Sequence, residues 1–253
     1  MEERSAPDVT GYSGESPLSL RFLILEALRI LKFFYSFKDL EETLGIPAQV
    51  LWRYTTLKSI PEKGTAEKLW RKIVEGGVFT AAFEKAAATQ GRGSRWYGLS
   101  NPGLPMLAGF TVAIAYRKHR VSSVLSFPDS YSAVFSAGVA YYLKAKLCMT
   151  SGEPLAENPV VVTYVSETGA IRAIGVGRDC IAKNSKILIT AFRVPSCRRL
   201  EALYKLARKC YANPVGVVVL AGDTDCTIGG EGAVPAVVPV RRLIESIASI
   251  RIS

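Results

Sequence analysis

The feature that most constrains this chain is a change of hydrophobic period near residue 105. From Leu107 onward, helical stretches alternate with short β-branched runs: a helix over 107–118, a strand over 121–125, a helix over 133–146 and a strand over 160–165. Strands over 171–176 and 186–190, a helix over 198–210, a strand over 215–220 and a final strand and helix over 237–250 complete the series. Short apolar strands separated by helices predict an α/β fold with a mainly parallel sheet covered on both faces, since such strands have no polar side to turn to water. The turn at 166–169 joins two consecutive strands and predicts a hairpin inserted in that sheet.

Ahead of residue 87 the spacing is helical. Leu20, Leu23, Ile24, Ala27, Leu28, Leu31 and Phe34 recur at three- and four-residue intervals within a helix over 18–35. Further apolar residues widen that stripe, so the helix is expected to be buried on more than one side or to enter a dimer interface. Helices over 38–44, 48–58 and 65–75 follow, the last introduced by Pro61 and Gly64. Residues 1–17, rich in Ser, Gly, Pro and acidic side chains, read as a disordered tail. The stretch 87–105, with Gln-Gly-Arg-Gly-Ser at 90–94, reads as a linker or a wing, and 87–100 is taken as the boundary between domains. The expected organisation is a tail (1–17), an all-α domain (18–86), a linker (87–100) and an α/β domain (101–253).

The chain has 253 residues, 49% of them hydrophobic, enough to fill two modest cores. Its formal charge of +10 would draw it towards polyanions. Residues 1–98 hold 14 Lys and Arg against 12 Asp and Glu, so a net +8 lies downstream of them. The apolar run over 18–37 is broken by Arg21, Glu26, Arg29 and Lys32, which argues against a membrane-spanning helix, and the polar first 17 residues argue against a secretory signal. A cytoplasmic protein without a membrane partner is expected. Five widely spaced cysteines and a single histidine, His119, predict neither a metal site nor a disulfide framework. The cysteines read as small buried hydrophobes, and no cofactor is expected.

Residues 40–54, Leu-Glu-Glu-Thr-Leu-Gly-Ile-Pro-Ala-Gln-Val-Leu-Trp-Arg-Tyr, carry the pattern of a helix-turn-helix. Such a unit needs apolar inner faces on both helices and a residue tolerant of positive φ between them. Leu40, Leu44, Ile46, Leu51 and Tyr54 take the inward positions and Gly45 the turn. Gln49, Trp52, Arg53 and Thr56 then point outward, with Lys58 just beyond. Gln49 can pair with adenine and Arg53 with guanine, while Thr56 can reach a base or phosphate, so double-stranded DNA is the expected partner. Glu41 departs from the pattern by standing where a small residue usually lets the two helices approach.

Other segments carry a family likeness: Asn-Pro-Gly-Leu-Pro at 101–105, the strand-loop-helix at 124–143, and Lys-Ile-Leu-Ile-Thr at 186–190 leading into Leu-Glu-Ala-Leu at 200–203. From residue 101 to about 223 the chain resembles a type I phosphoribosyltransferase. With the helix-turn-helix, the Ser-Ile-Pro at 59–61 and the following basic helix, it resembles the archaeal phosphoribosyltransferase-like transcriptional regulators of the GfcR type. That resemblance implies a homodimeric DNA-binding regulator with an effector-sensing domain.

Active members of the phosphoribosyltransferase family end the central strand with two acidic residues that accept the ribose hydroxyls, followed by a glycine-bearing turn that cradles phosphate. Here Ala191 and Phe192 fall at the acidic positions. The phosphate turn reads Arg-Val-Pro-Ser-Cys-Arg-Arg at 193–199, and the pyrophosphate loop reads Ser-Phe-Pro-Asp-Ser-Tyr-Ser at 126–132, neither with a glycine. No catalytic residue is therefore expected. Arg193, Ser196, Arg198 and Arg199, at or near a helix start, remain suited to a phosphorylated or nucleotide-like effector, or equally to a solvated or DNA-facing surface. The enzyme alternative is a phosphoribosyltransferase of nucleotide metabolism with an atypical active site; a third reading is an RNA-binding or structural factor using the basic α/β part.

Overall fold

The computed structural model describes residues 20–88, 101–153, 157–166, 168–194, 196–221, 226 and 237–247. The expected tail at 1–17 lies outside them, as does the expected linker apart from residues 87 and 88.

Five helices come first: α1 (Leu20–Leu31), α2 (Phe37–Leu44), α3 (Ala48–Thr55), α4 (Lys63–Trp70), which runs on as a π-helical turn over Arg71–Glu75, and α5 (Val78–Ala88). The last of these was not anticipated. α6 (Gly103–Tyr116) leads through a 3-10 turn into β1 (Ser123–Ser126), α7 (Ser130–Leu143) and β2 (Lys146–Met149). β3 (Pro159–Val165), β4 (Ile171–Gly177), β5 (Lys186–Ala191), α8 (Cys197–Lys209), β6 (Asn213–Val219), β7 (Val237–Pro239) and α9 (Val240–Ile247) follow.

The sheet has the order β2-β1-β5-β6-β7 and every pairing in it is parallel. β2 is absent from the sequence reading because the helical pattern was carried to residue 146. The helix ends instead at Lys144, whose φ of 52° places it in the left-handed region, and the next residues pair with β1. The hairpin differs from expectation too: β3 and β4 pair with each other, antiparallel, as a two-stranded sheet separate from the parallel one. Its strands pack on α8, and it touches the region beside β2 through a bridge between Ser151 and Gly175.

Strand residues alternate between two cores, as the period of two requires. Val124, Leu188 and Val218 face one side, and Leu125, Ile187, Ile189, Val217 and Val219 face the other. The first core takes in α6, α7 and α9 and runs without a break into α1, α2, α3, α4 and α5; Trp70 belongs to it. The second is closed by α8 and the hairpin. No residue of α1 is exposed, since α3, α4 and α6 pack around it, so its wide apolar stripe is accounted for within one chain. α6 and α7 cross backbone to backbone: a Cβ on Gly138 would lie 2.5 Å from the Pro105 carbonyl oxygen, and one on Gly109 2.5 Å from the Gly138 carbonyl.

The cysteine expectation is overturned. Cys148 is bonded to Cys180 and Cys197 to Cys226, leaving Cys210 as a buried free thiol. An odd count and separations of 32 and 29 residues hide the pairs in sequence, because the fold alone brings β2 beside the turn after β4 and the chain beyond β6 beside the start of α8. Among the described residues no helix is long and apolar enough to cross a membrane.

Candidate functional site

α2 and α3 meet at a built turn. Ser36 caps α2, its hydroxyl accepting the Asp39 N–H at 3.1 Å while the Asp39 carboxylate accepts the Ser36 N–H at 2.8 Å. Those contacts, the Ser36 N–H first and the Ser36 side chain second, hold the Asp39 carboxyl below its ordinary pKa. α2 ends at Gly45, φ 65°, whose N–H returns to the Glu41 carbonyl at 2.7 Å. The Lys72 ammonium, from the π-helical turn, closes the same end by donating to the Leu44 carbonyl at 2.6 Å.

α3 begins after Pro47, which has no side-chain acceptor for the first N–H groups of a helix. Glu41 supplies one: its carboxylate accepts the Ala48 N–H at 3.2 Å. The residue that looked like a departure from the motif is its cap, and a helix starting behind a bare proline was the signal that could have found it. α3 is shorter than expected. It closes at Leu57, φ 58°, with the Leu57 N–H bonded to the Tyr54 carbonyl at 3.1 Å and the Lys58 N–H to the Arg53 carbonyl at 2.9 Å, the two bonds of a Schellman turn. Arg29 of α1 donates to the Thr55 carbonyl at 2.9 Å and pairs with Glu26, anchoring that end to the core.

The structure exposes Gln49, Trp52, Arg53, Thr56 and Lys58, while Leu51 between them is fully buried. Three of the five, Trp52, Thr56 and Lys58, are engaged with one another. The Thr56 hydroxyl donates to the Trp52 carbonyl at 2.8 Å, and the Lys58 ammonium lies 4.3 Å from the Trp52 ring centre. Gln49 and Arg53 stand about one turn apart on the exposed side of α3.

The second candidate region lies at the carboxyl ends of β1 and β5. The strand order reverses between them, the position where open α/β sheets bind ligands. Asp129 caps α7, accepting the Ser132 N–H at 2.9 Å and the Ser132 hydroxyl at 2.6 Å. The Ser132 oxygen in turn accepts the Phe192 N–H at 2.8 Å, and Ser136 and Thr190 join their hydroxyls at 2.7 Å. Phe127, Ala191 and Phe192 are buried, and Tyr131 stacks on Phe192 with ring centres 5.6 Å apart. The Phe192 and Ser132 N–H groups are thus both bonded within the protein, to Ser132 and Asp129 side chains.

Around this crevice the four expected anion ligands divide. Ser196 caps α8, accepting the Arg199 N–H at 3.3 Å. The Arg199 Nε donates to the Tyr164 hydroxyl at 2.9 Å and its guanidinium lies 5.5 Å from the Phe127 ring centre, tying α8 to the hairpin and to the loop after β1. Arg193 and Arg198 are exposed. A groove of about 240 Å³ between hairpin and α8 is lined by Thr163, Tyr164, Val165, Arg198, Glu201 and Lys205, with Glu201 and Lys205 paired at 2.9 Å. Among the described residues no cluster suited to a metal ion occurs.

No protein-family model and no curated protein matches this chain. Three solved adenine phosphoribosyltransferases are similar to part of it. The enzyme from Rhodothermus marinus is 20% identical over 48% of this chain and 70% of its own, with a TM-score of 0.44. That from Saccharomyces cerevisiae is 14% identical over 59% and 77%, with a TM-score of 0.44. A third is 14% identical over 56% and 82%, with a TM-score of 0.46.

Proposed function

We propose that the chain is a DNA-binding transcriptional regulator that reads double-stranded DNA with α3. In this reading α2 crosses the backbone, α3 enters the major groove, and Gln49 and Arg53 contact base edges. The observation that carries it is the pairing of two capped helices across a left-handed glycine with a polar, exposed outer face on the second. Trp52 and Lys58 flank that face and suit sugar and phosphate contacts. Paired half-sites are how so short a reader gains affinity, so the protein acts as a cytoplasmic homodimer.

The α/β part is a phosphoribosyltransferase-like domain that senses an effector or dimerises and does not catalyse. Support comes from the crevice: Ala191 and Phe192 offer no carboxylate, Phe127 and Phe192 are buried, and Tyr131 lies against Phe192. Arg193 and Arg198 are the residues available for a phosphorylated or nucleotide-like effector.

Selection of bound fragments from a random duplex pool tests the DNA reading. A recovered consensus, bound with an affinity that falls steeply with salt, is expected; recovery of no consensus, or preference for RNA, contradicts it. Incubation with phosphoribosyl pyrophosphate and purine, pyrimidine or orotate acceptors tests the rest: turnover above background would overturn the loss of catalysis.

A further inference from the structure

The two disulfides differ at one sulfur each, since Cys180 and Cys226 are both half-buried. Cys148 is fully buried in β2, inside the core closed by α8 and the hairpin. Cys197 is exposed and is the first residue of α8, a helix of 13 residues whose positive end it occupies. Arg198 and Arg199 follow it and Arg193 lies four residues before it, while the carboxylate of Glu201 is paired with Lys205. Its partner Cys226 is half-buried and is preceded in sequence by Asp225, with Asp223 two residues further back. One sulfur of this bond therefore sits on the first residue of a helix, with arginines as its sequence neighbours.

Thiol-disulfide exchange runs fastest when the departing sulfur is the better stabilised thiolate. An exposed helix N-terminus with adjacent arginines stabilises a thiolate. We propose that Cys197–Cys226 is a thiol-exchange site that takes a dithiol reductant, opening with Cys197 as the leaving group, while Cys148–Cys180 is a closed structural bond.

The reductant's thiolate attacks the Cys226 sulfur, the disulfide bond breaks, and Cys197 departs as a thiolate beside Arg198. The reductant's second thiol then attacks the mixed disulfide, releasing Cys226 and leaving the reductant as its own disulfide. Two electrons and two protons pass from the dithiol to the protein pair. The site does not depend on DNA or effector binding, so it can be tested on the protein alone.

The test is graded reduction of the full chain with dithiothreitol, alkylation with iodoacetamide and mapping of the labelled peptides by mass spectrometry. Cys197 and Cys226 should label about tenfold ahead of Cys148 and Cys180, the order leaving-group and access effects dictate. In Cys226→Ser, checked for native circular dichroism, the rate of Cys197 alkylation against pH should show a midpoint below the ordinary thiol value of about 8.5. Adding Arg198→Ala should move that midpoint up, which a merely structural cysteine would not show. Equal or reversed opening of the two bonds, an ordinary Cys197 midpoint, or Cys197 and Cys226 found unpaired before reduction would each overturn the proposal.

Discussion

The Glu41 carboxylate of α2 accepts the backbone N–H of Ala48 at 3.2 Å, so the first helix of the candidate reader caps the second. Loss of an N-terminal cap typically costs about 1 kcal/mol. Glu41→Ala should lower stability by that order in urea denaturation, and Glu41→Gln, which keeps an acceptor, should recover part of it. An Ala variant as stable as the parent would show that this contact contributes nothing to the turn.

Two left-handed residues close the two helices, and they should respond oppositely to exchange. Gly45→Ala places a Cβ at φ 65° and 3.1 Å from the Lys72 ammonium, a conformation costing about 1–2 kcal/mol for a residue with a side chain. Leu57→Gly removes that same cost at φ 58°, from a side chain already 38% exposed. Thermal denaturation should show the first variant melting lower than the parent and the second melting no lower.

The Asp39 carboxyl is held below its ordinary pKa, first by the Ser36 N–H, then by the Ser36 side chain, with a smaller pull from Lys85 and Lys32. A depressed native pKa means that the unfolded chain binds the proton more readily. The contribution is therefore complete above the ordinary carboxylate range and is lost as pH falls through the native value. The difference in melting temperature between the parent and Asp39→Asn should be present at neutral pH and shrink below about pH 4. A difference independent of pH would remove the carboxylate from the cap.

Much of this architecture is legible in the sequence. Apolar periodicity located α1 and α6, and the buried β-branched runs located β1, β5 and β6, because a parallel sheet's interior leaves no ambiguity of face. Gly45 marked the turn between α2 and α3. What stayed hidden depends on contacts distant in sequence. β2, with its pattern of exposed Lys146 and Met149 around buried Cys148, is an edge strand that only pairing with β1 defines. The bond from Arg199 to Tyr164, 35 residues away, has no local signal. The cysteine pairs needed the fold itself.

The crossing of α6 and α7 leaves no room for a methyl group, since the contact at Gly138 is with backbone and not with a side chain that could turn away. Gly138→Ala should cost about 1–3 kcal/mol, the range for overpacked cores. Both the midpoint of denaturant unfolding and the circular dichroism of the native state would register it. An unchanged midpoint would mean that the two helices slide apart without penalty.

The claim that α3 reads sequence is tested most directly by the base preference of Gln49→Ala and Arg53→Ala on duplexes selected with the parent protein. Each should weaken the selected site by about 1–3 kcal/mol and relax preference at one position, leaving the others as they were. Arg193→Ala and Arg198→Ala serve as controls, because both residues are exposed and Arg199, tied to Tyr164, is not a neutral choice. They should leave base preference intact, with a change of about one in the slope of log affinity against log salt if either touches a phosphate. Base preference unmoved by Gln49→Ala and Arg53→Ala, together with loss of all nucleic-acid binding in the Arg193 and Arg198 variants, would contradict it and reduce the helix pair to scaffolding.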